Sequence, residues 1–285
     1  MGNRTILLVA GFVLGGIVVP LYTADPSVAG EPEPNKPPAQ GAPKQTTAKG
    51  RADRVYAYSP ADIERPGKIF LKGTNRYSQH DEELIIRDFF QDKRGGFFVD
   101  IGAAAPIKNS TTYYLEKHLG WRGIAVDALA QYGPGWARLR PKSEFVNNAI
   151  TDRSDETMTF YKHDWSEVSS LSKEYAAQFG GEEKLTPIEV QTITITDLLD
   201  RRGVTKINHL TIDIEGAELQ ALAGFDIQRF QPDLICIEVY GRGKVGAKAI
   251  RDYMESNGYG IVKEYKSNTV ANWYFAPTAA QGDSN

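Results

Sequence analysis

Cysteine is almost absent from this chain, because its 285 residues contain a single one, Cys236. A lone cysteine excludes an internal disulfide in a monomer and a zinc site built on cysteines. An excess of positive charge is also missing, since the formal net charge is −3 and the sequence pI is about 5.9. Nucleic-acid-binding domains usually show a pI above about 9, so we predict no nucleic-acid partner.

Charge is also missing from an N-terminal run, Thr5 to Ala24, which lies between Arg4 and Asp25. A helix needs about 20 apolar residues to cross the hydrocarbon core of a bilayer, and this run is just long enough. We therefore predict a single-pass membrane anchor over residues 1–24. An export signal peptide with a small-residue cleavage site at residues 27–29 is the alternative. The few basic residues around the run slightly favour a cytoplasmic N-terminus.

Two regions of different composition follow the apolar run. Repeated prolines over residues 25–66 interrupt any helix and indicate an extended linker. Over residues 67–285, apolar strands alternate with helices, which is typical of a mostly parallel sheet covered on both faces. The predicted strands are 97–101, 123–127, 144–150, 158–162, 209–214, 233–239, 259–265 and 270–275. Only Lys266–Thr269 joins the last two, so they must be antiparallel. The prediction is one α/β domain with a doubly wound sheet that ends in an antiparallel hairpin.

Acidic residues end two neighbouring predicted strands. Asp100 precedes Gly102 at the end of the first strand, and Asp127 ends the next strand, 27 residues after Asp100. Ligands of open α/β sheets bind outside the carboxyl ends of strands, where glycine permits close approach and an acid can accept ribose hydroxyls. Each acid alone could equally cap the helix that follows. Together, on adjacent strands, they favour a nucleoside site.

A third group of acids follows the predicted strand 209–214 and consists of Asp213, Glu215 and Glu218. Asp213 and Glu215 alternate along the strand end and can point to the same side. Neighbouring carboxylates raise one another's pKa, which suits a general base, and their oxygens could alternatively bind a divalent cation. Capping of the next helix is a further interpretation, which we expect to hold for Glu218.

In this order, the motifs resemble those of the FkbM family of methyltransferases. The resemblance extends from Tyr77 to Glu238, and its main segments are FFVDIGA at 97–103, STTYYLE at 110–116, LGWRGIAVD at 119–127, TDLL at 196–199 and IDIEGAE at 212–218. It implies a class I methyltransferase fold, which is a Rossmann-like doubly wound sheet. It also implies methyl transfer from S-adenosylmethionine, usually to an oxygen and often to a sugar hydroxyl.

The resemblance also implies roles for eight residues. Those of the cofactor site are Asp100, Gly102 and Ala103 beside the methionine part, Asp127 on the ribose, and Asn148 and Ala149 near the adenine. Those that would face the methyl group and the acceptor are Asp213, the first choice for the base, and Glu215. The sequence departs from the family pattern at residues 104–106, where Ala-Ala-Pro replaces a usual glycine. It departs again at Asp127-Ala128, where Glu-Pro is usual.

The predicted function is S-adenosylmethionine-dependent O-methylation of a saccharide or glycoconjugate by a membrane-anchored domain, and no residue is assigned as a metal ligand. The long connection from Tyr161 to Pro187 is expected to form part of the acceptor pocket or a lid. Within it, Trp165 could stack on a sugar or fill the core. The rival prediction is a catalytically silent, membrane-anchored binding or adaptor module, because Pro106 removes a backbone donor from the glycine loop.

Overall fold

The computed structural model of the chain describes Ile63 and residues 77–239, 243–265 and 272–278. The predicted anchor, residues 1–24, lies outside the described residues, as does the predicted linker apart from Ile63, so both remain predictions. Ile63 forms a parallel bridge with Val262. Within the described part of the chain, no helix has the length and apolar character needed to cross a membrane.

Ten strands are numbered along the described chain. They are β1 (Phe97–Ile101), β2 (Arg122–Asp127), β3 (Ser143–Asn147), β4 (Ala149–Ile150), β5 (Thr157–His163), β6 (Leu185–Ile193), β7 (His209–Ile212), β8 (Leu234–Glu238), β9 (Tyr259–Ile261) and β10 (Asn272–Pro277). Seven of them form one sheet in the order β3-β2-β1-β7-β8-β10-β9. The first five are parallel, and β10 is antiparallel to both of its neighbours. The predicted class I methyltransferase sheet is confirmed.

Helices cover both faces of this sheet. They are α1 (Glu82–Phe90), α2 (Tyr113–Leu119), α3 (Gly133–Leu139), α4 (Lys173–Ala177), α5 (Ile195–Asp200), α6 (Glu218–Ala223), α7 (Ile227–Phe230) and α8 (Gly243–Ser256). Local signals fix several ends. The Thr194 hydroxyl accepts a hydrogen bond from the Asp197 backbone N–H at 3.0 Å and caps α5. Gly120 ends α2 at φ +73°, a left-handed conformation that glycine adopts without steric cost.

The core lies on both sides of the sheet. Val99 and Ile101 of β1 belong to one buried cluster, and Phe98, which precedes them on the strand, belongs to another. Residues of α5, α6 and α8 complete the first cluster, and residues of α1 and α2 complete the second. Because side chains alternate between the faces of a strand, a sheet buried on both faces needs nearly continuous apolar strands. Burying each such side chain contributes about 1.5–3 kcal/mol.

The predicted strand 259–265 is too long, because β9 ends at Ile261 and Lys263–Tyr265 form a short 3₁₀ turn. Tyr265 is buried, and its hydroxyl donates a hydrogen bond to Asp88 Oδ2 at 2.6 Å. This contact draws the chain away from the strand direction. The link Lys266–Thr269 lies outside the described residues.

The predicted strand 144–150 divides at Asn148 into β3 and β4. β4 joins a second sheet with the order β4-β6-β5, in which β5 and β6 form an antiparallel hairpin. The sequence did not predict β6, because Pro187 is atypical of a strand interior. Pro187 lies where β6 pairs with β5 alone, so its missing N–H can face an unpaired edge. The hairpin carries residues 164–184, called the insert below.

Candidate active site

A first cavity opens at the carboxyl ends of β1 and β2. Its volume is about 550 Å³, including space open to solvent, which is a size typical of small-molecule sites. Six of the eight predicted site residues line it, and they are Gly102, Asp127, Asn148, Ala149, Asp213 and Glu215. The structure therefore brings together residues that are more than 110 positions apart in the sequence.

The other two predicted residues, Asp100 and Ala103, do not line this cavity. Asp100 is buried, and its Oδ2 accepts a hydrogen bond from the Thr112 hydroxyl at 2.6 Å. Burial raises the pKa of Asp100. Ala103 packs in a small buried cluster with Ala125 and Trp136. Both residues lie behind the cavity wall, where they hold the loop after β1.

Gly102, directly after β1, lies against the loop after β7. Its φ is +82°, and a Cβ added there would lie 1.7 Å from the Asp213 carbonyl oxygen. Any side chain would therefore force the two strand ends apart. Glycine at this position allows Asp213 to stand beside the first cavity.

Asp127 ends β2 and presents its carboxylate to the cavity. Its Oδ2 accepts a hydrogen bond from the Ala104 N–H at 2.9 Å, and its Oδ1 accepts one from the Leu129 N–H at 2.8 Å. Burial outweighs these donors and raises the pKa of Asp127 to about 6. A carboxylate has about four acceptor sites, so two remain for ligand hydroxyls. Ile150 and Phe160 add apolar walls suited to a flat base.

Asp213 and Glu215 line both the first cavity and a second, larger one. Glu238, at the end of β8, completes a cluster in which carboxylate oxygens of the three residues lie within 4.8 Å of one another. The strand register explains the cluster, because Ile212 of β7 pairs with Ile237 of β8. The next residues on the two strands, Asp213 and Glu238, are therefore neighbours.

Asp213 and Glu238 are joined by a hydrogen bond between their carboxyl groups. Burial, followed by the charges of Glu215 and Glu82, raises the pKa of Asp213 to about 7. Burial and the charges of Asp213 and Glu215 raise the pKa of Glu238 further. The raised pKa values favour a proton shared between the two carboxyl groups, with Glu238 as its donor and Asp213 as the acceptor. The same oxygen spacing could also hold a divalent cation.

The backbone around Glu215 is held in an unusual conformation. Glu215 has φ +51°, and its carbonyl oxygen accepts a hydrogen bond from the Ser170 hydroxyl of the insert at 2.6 Å. Left-handed backbone at a non-glycine residue costs about 1–3 kcal/mol and is concentrated at functional sites. Glu218 is buried, and its Oε1 accepts hydrogen bonds from the N–H groups of Ile214 and Gly216 at 3.0 and 3.4 Å. Glu218 therefore holds the loop before α6 and is not the helix cap that was predicted, since the N-cap residue is Ala217 and no side chain caps this helix.

The second cavity has a volume of about 1280 Å³ and meets the first at Asp213, Glu215 and Glu167. Aromatic residues of the insert form one of its walls, and they are Trp165, Tyr175 and Phe179. Acids at the sheet edge form another wall, and they are Glu82, Asp213, Glu215 and Glu238. The arrangement provides two connected chambers with a potential base between them.

A family model decides between the interpretations of this geometry, because the methyltransferase FkbM domain matches residues 100–261, more than half of the chain. The chain belongs to the FkbM methyltransferase family. Its members depend on S-adenosylmethionine, and the chain is therefore an S-adenosylmethionine-dependent methyltransferase. Among curated proteins, none matches the chain.

Solved methyltransferase structures resemble the chain only distantly. A TehB-like S-adenosylmethionine-dependent methyltransferase from Corynebacterium glutamicum has 13% identity and a TM-score of 0.39, with 72% of this chain and 90% of that chain covered. A 1,6-didemethyltoxoflavin-N1-methyltransferase from Burkholderia thailandensis has 11% identity and a TM-score of 0.37, covering 69% and 76%. The METTL16 methyltransferase domain has 10% identity and a TM-score of 0.40, with 68% of this chain covered. The match spans 64% of that domain, which is less than two thirds of its length. Membership of the FkbM family rests on the family model and not on these structures.

The loop that departs from the FkbM pattern is held by a buried arginine. Arg140 is fully buried, and its guanidinium donates hydrogen bonds to the Pro106 carbonyl at 2.9 Å and to Glu116 Oε2 at 2.7 Å. The indole N–H of Trp136 donates to the Ala104 carbonyl at 2.8 Å. These donors fix the loop that a glycine would otherwise leave flexible. The proline therefore lies in an ordered loop beside the first cavity.

Sequence reasoning named Trp165 as a possible stacking surface but missed Glu238, Tyr175 and Phe179 as lining residues. Glu238 ends a strand as Asp213 nearly does, and an acid at a parallel strand end was an available signal. Trp165 is 53% exposed and lines the second cavity, so it does not fill the core. Tyr175 and Phe179 carry no signal in the sequence, because their position depends on how the insert folds back over the FkbM sheet.

Proposed function

We propose that this FkbM methyltransferase transfers the methyl group of S-adenosylmethionine to a hydroxyl oxygen of a saccharide or glycoconjugate. The observation that carries the proposal is the position of Asp213, which lines both cavities and has a raised pKa. The first cavity suits the donor, since Asp127 offers free acceptor sites for ribose hydroxyls and Ile150 and Phe160 offer apolar walls. The second cavity suits a larger, polar acceptor.

The chemistry of the site follows from its own residues. When bound, S-adenosylmethionine supplies an electrophilic methyl group. The protein orients the acceptor hydroxyl toward the junction of the cavities, and positioning of this kind supplies much of the rate of a displacement. The Asp213 carboxylate accepts the hydroxyl proton as the oxygen becomes a nucleophile. Glu238 holds Asp213 in place by donating a hydrogen bond.

Replacing Asp127 tests the donor site. We expect Asp127→Ala to weaken binding of S-adenosylmethionine by about tenfold or more, because charge-assisted hydrogen bonds contribute about 1.5–3 kcal/mol. Isothermal titration calorimetry of the domain measures this affinity directly. The control is Asp152→Ala, which removes an exposed acid that does not line the first cavity. Unchanged affinity in Asp127→Ala would refute the ribose assignment.

Methyl transfer to saccharides tests the function itself. Incubation with radiolabelled S-adenosylmethionine and glycan acceptors should give labelled products, and mass spectrometry of the fragments should place the methyl group on oxygen. Label on nitrogen would contradict O-methylation. Binding of S-adenosylmethionine without transfer to any acceptor would favour a silent binding module instead.

We also propose that residues 1–24 attach the enzyme to a membrane, because the run from Thr5 to Ala24 carries no charge. The proline-rich residues 25–66 would then separate the catalytic domain from the bilayer. Alkaline extraction of membranes from expressing cells should leave the full chain in the pellet. Release into the supernatant would refute the anchor.

A further inference from the structure

The second cavity has one aromatic side and one acidic side. Trp165, Tyr175 and Phe179 form the aromatic side, with ring centroids 6.2 Å apart for Trp165 and Phe179 and 5.7 Å apart for Tyr175 and Phe179. Trp165 is 53% exposed, more than any other large apolar side chain in the described part of the chain. An exposed indole in a cavity that Asp213 also lines is suited to stack on a ring of the acceptor.

The acidic side carries a concentrated negative charge. Glu82 is 3% exposed, and its oxygens are fixed by hydrogen bonds from the Asn272 side-chain amide at 2.9 Å and the His80 N–H at 2.7 Å. Glu167 faces the cavity from the insert, and Glu215 faces it from the loop after β7. Among the described residues that line the cavity there is no lysine or arginine, and His80 lies exposed at its rim.

Charge of one sign in a cleft selects the sign of the ligand. Carboxylates held in a partly buried cavity attract a cation and repel an anion, because the low-dielectric walls reduce screening. An acceptor with a phosphate, sulfate or carboxylate would be repelled by the carboxylates among the described lining residues. An ammonium group would find acceptors on Glu82, Glu167 or Glu215.

We infer that the acceptor is an amine-bearing sugar ring, stacked on Trp165 with its ammonium group toward the acidic side, and that anionic saccharides are rejected. This inference rests on the proposed function for the placement of the reacting hydroxyl near Asp213. The insert supplies both the stacking surface and one of the charges, Glu167, so it determines the choice of acceptor.

Tryptophan fluorescence tests recognition without requiring methyl transfer. Methyl glucosaminide, methyl glucoside and methyl glucuronide are titrated into the S-adenosylhomocysteine complex of the full chain. The amine should bind at least about tenfold more tightly than the acid, with the neutral sugar between them. The quenching should disappear in Trp165→Phe. Equal or reversed affinities, quenching that persists in Trp165→Phe, or no quenching by any sugar would overturn the inference.

Two variants separate charge from stacking. Glu167→Gln should reduce the preference for the amine over the acid by about threefold. Glu174→Gln is the matched control, since Glu174 is an exposed glutamate of the same insert that does not line the cavity. Trp165→Ala should weaken binding of all three sugars by about tenfold in isothermal titration calorimetry, which does not need the Trp165 fluorescence. An unchanged preference in Glu167→Gln would overturn the charge assignment.

The outcome can be told apart from failure of the proposed function. Methyl transfer to anionic glycans in preference to amine-bearing ones would overturn the inference and leave O-methylation standing. Selective quenching by the amine together with transfer to nitrogen would support the recognition and refute O-methylation.

Discussion

Asp213→Asn is expected to lower kcat by about 10²- to 10⁴-fold, the range that a general base contributes. The amide cannot accept the hydroxyl proton, although it has nearly the same shape. Isothermal titration should show that binding of S-adenosylmethionine is retained, since the donor contacts proposed for Asp127 are untouched. Wild-type kcat in this variant would rule out Asp213 as the base.

The pH profile gives a second measurement of the same group. Because the base must be deprotonated to act, kcat/KM should rise with pH through the Asp213 pKa of about 7 and level off above it. An ordinary aspartate would already be ionised near pH 5 and would give a flat profile there. A rate that is constant from pH 5 to pH 8 would contradict the assignment.

Glu238→Gln provides the contrast within the same cluster. Its amide can donate to Asp213 as the protonated carboxyl group does, so we expect less than about a tenfold loss of kcat. A loss as large as that of Asp213→Asn, restored by added Mg²⁺, would show that the three carboxylates hold a cation instead of sharing a proton.

Gly102→Ala is expected to lower the free energy of unfolding by about 2–5 kcal/mol, because a left-handed alanine costs about 1–2 kcal/mol and overpacking about 1–3. The new methyl group would lie 1.7 Å from the Asp213 carbonyl oxygen, so the strand ends must separate. Donor binding and catalysis should fall with the displacement of Asp213. Urea unfolding measures the stability.

Gly120→Ala isolates the steric part of this effect. Gly120 has φ +73°, close to that of Gly102, but a Cβ there would meet no atom within 4 Å. It should therefore lose only the left-handed backbone cost, about 1–2 kcal/mol. An equal loss of unfolding free energy in the two variants would show that the close contact with the Asp213 carbonyl adds no cost of its own.

Strand ends could be read from the sequence because apolar runs that stop at an acid or a glycine mark the edge where ligands bind. Gly102, Asp127 and Asp213 were predicted at this edge for that reason, and they line one cavity. The turn of Asp100 toward the Thr112 hydroxyl depends on the path of the loop after β1, which no local pattern encodes. Asp100 was therefore expected at the cavity and lies behind its wall.

Contacts between strands that are distant in the sequence were the second feature that could not be predicted. Glu238 reaches Asp213 because β7 and β8 are adjacent in register, and their separation in the sequence carries no trace of that contact. The hairpin of β5 and β6 was half visible, since β5 was predicted and Pro187 concealed its partner. The insert it carries could thus be expected near the acceptor but not assigned a shape.

The insert lines both cavities, so it can couple the binding of one ligand to the binding of the other. Residues Ser166 and Ser169 line the first cavity, Trp165 lines the second, and the Ser170 hydroxyl binds the carbonyl of Glu215 between them. A ligand that orders this segment in one chamber lowers the entropy cost of binding in the other, and such coupling is reciprocal. The enzyme should therefore bind its two substrates cooperatively. The affinity for the acceptor should be the same with S-adenosylhomocysteine bound as with S-adenosylmethionine bound.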